Sequence, residues 1–229
     1  MRVTSTMDVA HAVAADGAPA GTLILASSQE QGRGRTGKSW QSAPDAGLWC
    51  TLIERPADPR ALDVLALRVG LSLAAALDAF VEQRITLKWP NDLWLGDGKL
   101  GGILIEARWR DGLPEWVAIG VGINRKPAAD ARVRSSHVRA DVSRDALLGA
   151  VAPALRRAAA ATGVLSDNEC REWATRDRIA GRRVLTPADG VVQGITADGA
   201  ISIRGDDGMV RHLHSGSLTV FEGPESLSI

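Results

Sequence analysis

The most constraining feature of this sequence is a short run at residues 29–40, QEQGRGRTGKSW, which mixes three glycines with three basic residues and ends on Trp40. Glycine lowers the steric cost of unusual backbone angles and lets a ligand approach the backbone closely. Arg and Lys side chains donate hydrogen bonds to carboxylate and phosphate oxygens. A solvated surface loop would show the same composition, so the run predicts either such a loop or a binding loop for a small anion.

Two familiar phosphate-binding patterns fit this run. Residues 32–39 match the P-loop pattern G-x-x-x-x-G-K-[ST], and residues 32–37 match the dinucleotide pattern G-x-G-x-x-G. Both mechanisms need a helix that begins where the loop ends, because its N-terminal amides hold the phosphates. Pro44 and Gly47 interrupt any such helix, and residues 48–53 read as a strand. We therefore expect strand, loop, strand, which argues against both motifs and leaves anion binding open.

The overall charge favours a small ligand over a polyanionic partner. Lys and Arg number 27 and Asp and Glu also number 27, so the formal net charge is zero. Proteins whose main partner is a nucleic acid or a membrane surface usually carry a basic excess. The cations of residues 29–40 are thus a local feature of a neutral protein, and we expect neither DNA nor a membrane as partner.

Cysteine use and hydropathy predict a cytoplasmic protein. Cys50 and Cys170 are the only cysteines, which is too few for a disulfide framework and typical of a reducing compartment. The N-terminus has no signal-peptide pattern. The longest apolar region, residues 61–81, is interrupted by Asp63, Arg68 and Asp78, which indicates a buried or amphipathic helix instead of a membrane span.

The pattern of elements predicts two units. A helix capped by small hydroxyl residues should end near Gly17, a strand should cover residues 22–26, and a long helix should run from residue 59 or 60 to about 82. Residues 85–123 read as an antiparallel meander, residues 125–142 as a mobile loop, and residues 143–162 and 167–179 as helices. Short β runs separated by ADG, ADG and DDG follow Gly181 and predict a small barrel. We place the boundary near 179, which gives units 1–179 and 180–229.

Glycines on neighbouring strands of the meander predict a slot. Gly101 and Gly102 lie on one strand, and Gly120 and Gly122 lie on the next. Glycine inside a strand often marks the close approach of a ligand or of another backbone. The two pairs could face each other and open a space for a ligand, with tight strand packing as the alternative.

Four segments together resemble the biotin protein ligases (biotin–acetyl-CoA-carboxylase ligase). They are GRGRTGKSW at 32–40, KWPND at 88–92, KLGGIL at 99–104 and GVGIN at 120–124, in that order and spacing. The resemblance covers nearly the whole chain, including the small barrel, which is similar to the SH3-like C-terminal domain of that family. It implies an α+β catalytic domain, a mixed β-sheet flanked by helices, of the fold shared with lipoate ligases and class II aminoacyl-tRNA synthetases.

The resemblance also implies a reaction and its partners. Biotin and MgATP would give biotinyl-5′-AMP and pyrophosphate, and the biotin would then pass to a lysine of the biotin carboxyl carrier domain of an acyl-CoA or pyruvate carboxylase. Members of the family occur as monomers and as dimers, so a homodimer is compatible with it. Some members carry an N-terminal DNA-binding domain. Because this chain starts almost at the Ser-Thr motif, we expect the short form, without operator binding.

Site residues follow from the motifs that match. Lys99 and Arg33 would bridge the biotin carboxylate and the α-phosphate, and Asp92 would either bind Mg²⁺ or orient the incoming lysine. The residues expected at biotin are Ser5, Thr6, Gln29, Gly32, Arg33, Gly34, Arg35, Lys99 and Gly102. The residues expected at ATP are Arg33, Arg35, Trp40, Lys88, Asn91 and Asn124.

One position departs from the family pattern. Members often show Asp-Ser-Thr-Asn near the N-terminus, where this chain has Thr4-Ser5-Thr6-Met7. The central Ser-Thr is kept, so a pocket contact is expected there. The thioether of Met7 cannot make the hydrogen bonds of an amide, so this side of the pocket should differ from that of other members.

Three other functions compete with biotin ligation. A lipoate or octanoate ligase would share the fold, but the pairing of KWPND with the GRGR loop belongs to the biotin branch of the resemblance. A non-enzymatic nucleotide- or nucleic-acid-binding module is disfavoured by the zero net charge and by the scarcity of Phe and Tyr as stacking platforms. A P-loop NTPase is disfavoured by the strand that follows the loop.

Overall fold

The structure is a computed structural model that describes residues 2–56, 58–127 and 134–221. The helices are α1 (Thr6–Ala15), α2 (Ala61–Leu77), α3 (Arg144–Ala160) and α4 (Asp167–Arg176), with short 3-10 turns at Arg35–Gly37 and Asp78–Phe80. The first strands are β1 (Arg2–Val3), β2 (Leu23–Ala26), β3 (Ser28–Gln29), β4 (Gly47–Glu54), β5 (Thr86–Lys88), β6 (Asp92–Leu95), β7 (Gly98–Arg110) and β8 (Leu113–Asn124). The last strands are β9 (Arg183–Thr186), β10 (Gly190–Ile195), β11 (Ile201–Arg204), β12 (Val210–Leu213) and β13 (Thr219–Val220).

A six-stranded sheet in the order β2-β4-β8-β7-β6-β5 forms the centre of the larger unit. Its neighbouring strands all pair antiparallel. The large sheet is therefore antiparallel and not mixed as expected; the parallel pairing lies in a separate two-stranded sheet of β1 and β3. The predicted meander of residues 85–123 is confirmed as β5 to β8, with the hairpin turn at residues 96 and 97.

Helices cover the sheet on both faces, but they cover them unequally. The apolar faces of α2 and α3 pack on one face in a large core that includes Leu52, Ile103 and Val121. On the other face α1 packs through Met7 and neighbouring alanines against Ile53 and Trp116 in a small core. Ser5 begins α1, where its hydroxyl accepts a hydrogen bond from the Met7 amide, as N-cap residues do. Because α1 covers only part of its face, the rest is left for the glycine-rich run.

The glycine-rich run connects strands and is not followed by a helix, as the sequence predicts. β3 precedes it, and β4 follows after an irregular stretch over residues 38–46. The P-loop and dinucleotide interpretations fail for this reason, since both require a helix that begins where the loop ends, and β4 follows it instead. Thr36 and Gly37 have φ of 54° and 73°, so the tip of the loop turns through left-handed conformations that glycine adopts readily.

The C-terminal strands form a five-stranded antiparallel sheet in the order β12-β11-β10-β9-β13, which agrees with the small β unit expected from Gly181 onward. Its buried side chains, such as Val192 and Ile201, join the large core of the first unit. The Trp89 indole Nε1 donates a hydrogen bond of 3.0 Å to the Gly199 carbonyl oxygen. The small sheet therefore rests on the segment that carries the KWPND motif. The boundary near residue 179 stays a prediction.

The stretch 125–142 is only partly described, because residues 128–133 lie outside the described ranges. The part after them is tied to the start of β7 by backbone hydrogen bonds. The Lys99 amide donates to the Arg134 carbonyl (2.8 Å), and the Ser136 amide donates to the Lys99 carbonyl (2.9 Å). For residues 134–138 the expected mobile loop is therefore replaced by a segment held along a strand.

Both cysteines are free, Cys50 buried and Cys170 half-buried. Burial raises the pKa of the Cys50 thiol to about 12. Within residues 2–56, 58–127 and 134–221, no helix is long and apolar enough to cross a membrane.

Candidate active site

The glycines of β7 and β8 form the expected slot, and the indole of Trp40 fills it. Gly102 lies opposite Gly122 in the register of the two strands. A Cβ atom placed on Gly122 would lie 2.6 Å from the indole Nε1, and one on Gly102 would lie 3.1 Å from the ring. The indole also meets Trp49 edge-on, with 6.4 Å between ring centroids. A side chain at Gly122 would overlap the indole, and one at Gly102 would crowd it, because a side chain from the loop crosses both positions.

Lys99 and Asp92 form an ion pair beside this slot. The Lys99 Nζ lies 2.6 Å from Asp92 Oδ1, and it sits 5.0 Å from the centroid of the Trp40 ring, within cation–π range. Both side chains are about one-quarter exposed, 24% and 22%. The ammonium group therefore has a fixed position at the mouth of the slot and remains accessible to a ligand.

The glycine-rich loop reaches across to the KWPND segment through Arg35. Its Nη1 donates to the Asn91 Oδ1 at 3.4 Å. The side-chain Nδ2 of Asn91 in turn donates to the Ile103 carbonyl at 2.6 Å. Burial lowers the pKa of Arg35, and the negative charge of Asp92 opposes that shift. Arg35, Asn91, Asp92 and Lys99 are therefore brought together from three separate motifs.

Backbone hydrogen bonds hold the loop as a narrow hairpin. The Trp40 amide donates to the Gly32 carbonyl and the Gly34 amide donates to the Lys38 carbonyl, both at 2.7 Å. A Cβ atom on Gly32 would overlap the Trp40 carbonyl oxygen. A cavity of about 590 Å³ lies between the loop and residues 104–106 of β7. This space is large enough for a small organic molecule.

Arg33 does not lie beside Lys99 in this structure. Its guanidinium donates to Asp8 on α1 and to Glu106 on β7, both at 2.5 Å. The hydrogen bond to Asp8 and the charge of Glu106 raise the pKa of Arg33. These two carboxylates were missed by the sequence interpretation, because nothing near them in the sequence marks them as partners of the loop.

A histidine extends this group of charges. The His11 Nε2 lies 3.0 Å from the Glu106 Oε2, while the Trp116 Nε1 donates to the His11 Nδ1 at 3.0 Å. Because indole is only a donor, Nδ1 must accept, and the proton of neutral His11 resides on Nε2. His11, itself oriented by Trp116, therefore positions Glu106, the carboxylate that binds Arg33.

The polar residues expected at biotin form an internal chain of hydrogen bonds. The Gln29 Oε1 accepts from the amide (2.7 Å) and the hydroxyl (3.1 Å) of Thr6, and the Gln29 Nε2 donates to the Ser42 hydroxyl at 2.6 Å. The Thr51 hydroxyl donates to the Thr6 hydroxyl at 2.9 Å. Ser5, only 1% exposed, caps α1 next to this chain. The structure thus brings Ser5, Thr6 and Gln29 together: Thr6 and Gln29 bond to each other, and Ser5 caps the helix beside them.

The remaining residues expected at ATP lie around the same strands. The side-chain Nδ2 of Asn124 donates to the carbonyls of Lys99 (3.1 Å) and Ser136 (3.2 Å). Asn124 therefore connects the end of β8 to the start of β7 and to the segment around Ser136. The Lys88 Nζ lies 5.7 Å from the centroid of the Trp94 ring. Burial lowers the pKa of Lys88, while Asp92 opposes the shift. Lys88 therefore belongs to the charged group around Asp92.

A metal ion held by the protein alone would need several ligand side chains close together. Among the residues that the structure describes, no three His, Cys, Asp or Glu side chains come close enough to share an ion. Asp92 is a single carboxylate, and it is already paired with Lys99. These residues do not fit a resident Mg²⁺ site.

Comparisons with known proteins agree with this architecture. The model of the biotin/lipoate A/B protein ligase family matches residues 1–124. A biotin–[acetyl-CoA-carboxylase] ligase of Paracoccus denitrificans is 30% identical over 217 residues, which cover 85% of this chain and 88% of that protein. A bifunctional ligase/repressor of Bacillus spizizenii is 35% identical over 129 residues, covering 56% of this chain; the match spans only 40% of that longer protein.

Among solved structures, a biotin protein ligase from Aquifex aeolicus in complex with biotin and ATP superposes with a TM-score of 0.78. The match covers 97% of each chain at 22% sequence identity, so it bears on the fold alone. The family model covers more than half of the chain, and the Paracoccus protein is related along most of it. The chain therefore belongs to the biotin/lipoate A/B protein ligase family.

Proposed function

We propose that this chain activates biotin with ATP to give biotinyl-5′-AMP and pyrophosphate, and then transfers the biotin to a lysine of a biotin carboxyl carrier domain. The observation that carries the proposal is Lys99, which Asp92 holds at 2.6 Å beside the glycine slot, with Arg35 reaching toward the same group from the loop. The named activity of the Paracoccus relative supports biotin as the acyl group.

In the first step a carboxylate oxygen of biotin bonds to the α-phosphorus of ATP, and the bond from that phosphorus to the pyrophosphate oxygen breaks. Both reactants are negative, so a fixed cation between them lowers the barrier. Lys99 is that cation, and Asp92 fixes its ammonium group before substrate arrives. A preorganised donor of this kind commonly contributes on the order of 2–4 kcal/mol to a transition state.

The loop has the second role, which is to protect the product. A biotinyl-adenylate is a mixed anhydride that water would hydrolyse, and a loop that closes over it excludes water. Arg35 would hold the adenylate from the loop side, and Trp40 would anchor the end of the loop in the slot of Gly102 and Gly122. Arg33 would have to exchange Asp8 and Glu106 for the substrate carboxylate to take the bridging role expected of it.

Biotin would lie in the cavity between the loop and β7. Its ureido group needs paired donors and acceptors in an otherwise apolar pocket, and Ser5, Thr6 and Gln29 are the proposed partners, together with backbone groups of Gly32, Gly34 and Gly102. The chain of bonds from Thr51 to Ser42 fixes the Gln29 amide in one orientation. Lys88, Asn91 and Asn124 are proposed on the nucleotide side.

In the second step a lysine of the carrier domain attacks the acyl carbon and releases AMP, and this lysine must be neutral to react. Asp92 is the nearby carboxylate proposed to orient it, and the pairing with Lys99 favours this orienting role over metal binding. Mg²⁺ would enter on the phosphates of ATP, where it is mainly held by phosphate oxygens and water.

Biotin-dependent exchange between ATP and labelled pyrophosphate tests the proposal. We expect exchange with biotin and weaker or no exchange with lipoate or octanoate, followed by labelling of one lysine when a carrier domain is added. Exchange that requires lipoate or octanoate instead would favour the other branch of the family. Absence of exchange with all three acids would leave a nucleotide-binding module and contradict the proposal.

A further inference from the structure

Little inside the glycine-rich loop itself holds it over the cavity. Each residue from 33 to 39 is at least partly exposed, so the loop buries no side chain between Gly32 and Trp40. A segment with few buried contacts opens at low free-energy cost. The position of the loop therefore depends on the bonds that its side chains make to other elements.

Two arginines make such bonds, and they reach β7 at two separate places. Arg35 contacts the Asn91 side chain, which in turn donates to the Ile103 carbonyl. Arg33 contacts Glu106 directly. The part of β7 between these two places lines the cavity. The two arginines therefore fasten the loop on either side of the space that it covers.

Arg33 is held from two elements at once. Its Nη1 donates to the Asp8 Oδ1 on α1, and its Nη2 donates to the Glu106 Oε1 on β7, both at 2.5 Å. Hydrogen bonds between charged partners are roughly twice as strong as those between neutral ones. Because each terminal nitrogen binds a carboxylate of a different element, this one side chain connects the loop to both α1 and β7.

The carboxylate partners of Arg33 are themselves supported. The second Glu106 oxygen, Oε2, lies 3.0 Å from the His11 Nε2, and the Glu106 side chain is only 27% exposed. Asp8 and His11 are three residues apart in α1, so they lie on the same face of that helix. An isolated surface ion pair contributes little, whereas charges in a network hold one another in place. This group is such a network.

We propose that Asp8 and Glu106 are positioning residues that act through Arg33 to hold the loop closed over biotinyl-5′-AMP. The inference rests on the proposed biotin activation. Arg33 keeps its two carboxylates while the adenylate is bound, and Lys99 remains the cation between the biotin carboxylate and the α-phosphate. We call Asp8, Arg33 and Glu106 together the Arg33 clasp.

The Arg33 clasp acts on the fate of biotinyl-5′-AMP and not on its formation. While the loop is closed, only the lysine of a docked carrier domain attacks the acyl carbon, and AMP leaves. When the loop opens early, the adenylate escapes, and water or another amine attacks the same carbon. The bond to the phosphate oxygen then breaks, and AMP is released with free biotin or with a wrongly labelled protein. Loss of the clasp should therefore raise this leak.

Asp8→Asn is the first variant, because Asp8 is not among the residues that line the cavity and its side chain is 45% exposed. Asp16→Asn, at the end of the same helix, is its control. Glu106→Gln is the second variant. Its matched control is Glu115→Gln, because Glu115 is 24% exposed and pairs with Arg110 at the far end of the β7–β8 hairpin.

The leak is measured as the dissociation rate of labelled, preformed biotinyl-5′-AMP, chased with an excess of unlabelled compound. We expect Asp8→Asn and Glu106→Gln each to raise this rate about two- to fivefold, as for the loss of one partly exposed ion pair, and both controls to match the wild type. In Asp8→Asn the initial rate of ATP–pyrophosphate exchange should stay within about twofold of the wild type. In an Arg33→Ala background neither substitution should raise the dissociation rate further, because both act through Arg33.

Limited trypsin digestion of the unliganded chain tests the clasp without reference to activity. Trypsin cleaves after Arg and Lys, and the loop contains Arg33, Arg35 and Lys38. Cleavage at these sites should be faster in Asp8→Asn and Glu106→Gln than in the wild type and the two controls, because it follows the population of the open loop.

Unchanged dissociation and unchanged cleavage in Asp8→Asn and Glu106→Gln would overturn the clasp. A further rise in the Arg33→Ala background would also overturn it, since the two carboxylates would then act without Arg33. So would a loss of exchange in Asp8→Asn that matches a fall in its urea midpoint, because the role would then be structural. If the wild-type chain neither catalyses exchange nor binds biotinyl-5′-AMP, the proposed function fails and retention of the adenylate with it; trypsin cleavage alone would then decide whether Asp8 and Glu106 hold the loop.

Discussion

Two groups of basic side chains in this molecule differ in how completely they are partnered. Arg68 and Arg176 are both 4% exposed. Arg68 donates to Glu169 (2.7 Å) and to the Gly163 carbonyl (2.8 Å). Arg176 donates to Glu172 of its own helix, to Asp78 after the end of α2, and to the Ile85 carbonyl at 3.0 Å. These two guanidinium groups join α2, α4 and the residue that precedes β5, and they have little capacity left for a ligand.

The cations near the slot are less buried and have fewer partners. Lys99 has one carboxylate and one aromatic face, and Arg35 has one long hydrogen bond to an amide. Lys88 has the Trp94 ring and the attraction of Asp92, a carboxylate that is already paired with Lys99. Buried charges are normally paired and hydrogen-bonded. The difference indicates that residue type alone does not reveal function; the number of unfilled hydrogen-bonding positions separates structural cations from ligand-binding ones.

The largest expected effect comes from removing the best-placed ligand-binding cation. Lys99→Ala should lower biotin-dependent ATP–pyrophosphate exchange by about 100-fold or more, because a preorganised charge at the reacting centre is lost. Its unfolding midpoint in urea should stay near that of the wild type. Lys126→Ala, which removes an exposed lysine beyond the end of β8, is the control. Full exchange by Lys99→Ala would contradict the assignment of the site.

The opposite result is expected at a structural cation. Arg176→Met leaves Asp78 and Glu172 without their buried partner and should lower the free energy of unfolding by about 2–3 kcal/mol; because both carboxylates are partly exposed, this is below the usual loss for a broken buried pair. Urea titration measures it. Exchange per folded molecule should be unchanged, and a selective loss of exchange without loss of stability would remove the distinction between the two groups.

A glycine substitution tests whether the activity that depends on the cations near the slot requires the Trp40 indole in its place. In Gly122→Ala the added methyl would meet the Trp40 ring, so we expect the loop to be displaced, exchange to fall by about tenfold, and stability to fall by about 1–3 kcal/mol as in overpacked cores. Gly149→Ala is the matched control, since a Cβ atom there meets nothing within 4 Å. Equal behaviour of the two variants would show that the slot is not needed for activity.

The smallest expected effect is a pH dependence at the structural cation Arg68. Burial alone would raise the pKa of Glu169, but hydrogen bonds from Arg68 and Ser166 outweigh it and the pKa is lowered. A carboxyl whose pKa is lowered on folding contributes stability that is present above the ordinary value near 4.5 and is lost as the pH falls through the folded value. The urea midpoint should therefore fall below pH 4.5, and less so in Glu169→Gln. Parallel curves for the two proteins would refute this linkage.

Much of the fold could be predicted from the sequence because its signals are local. Pro44 and Gly47 exclude a helix after the loop, hydroxyl caps begin α1, and the turn at residues 96 and 97 joins β6 to β7. Glycines in neighbouring strands also predicted the slot. In each case a short stretch of residues determines the backbone without reference to distant partners.

The site could be predicted only in part, because its contacts are distant in the sequence. The sequence interpretation identified Lys99 and Asp92 but did not pair them with each other. It expected a ligand or tight strand packing at the slot and placed Trp40 at ATP, so it did not foresee that the Trp40 indole fills the slot. It also missed Asp8 and Glu106 as partners of Arg33. Such pairings depend on how β7, α1 and the loop converge in space, for which no local pattern exists.

Titration calorimetry with biotin, in the absence and then in the presence of a non-hydrolysable ATP analogue, tests most directly whether the under-partnered cations bind these two anions. The account predicts that the wild-type chain binds biotin and then the analogue, that Lys99→Ala weakens both, and that Arg176→Met, assayed under conditions where it is folded, weakens neither. No heat of binding with biotin, or equal losses in the two variants, would contradict it.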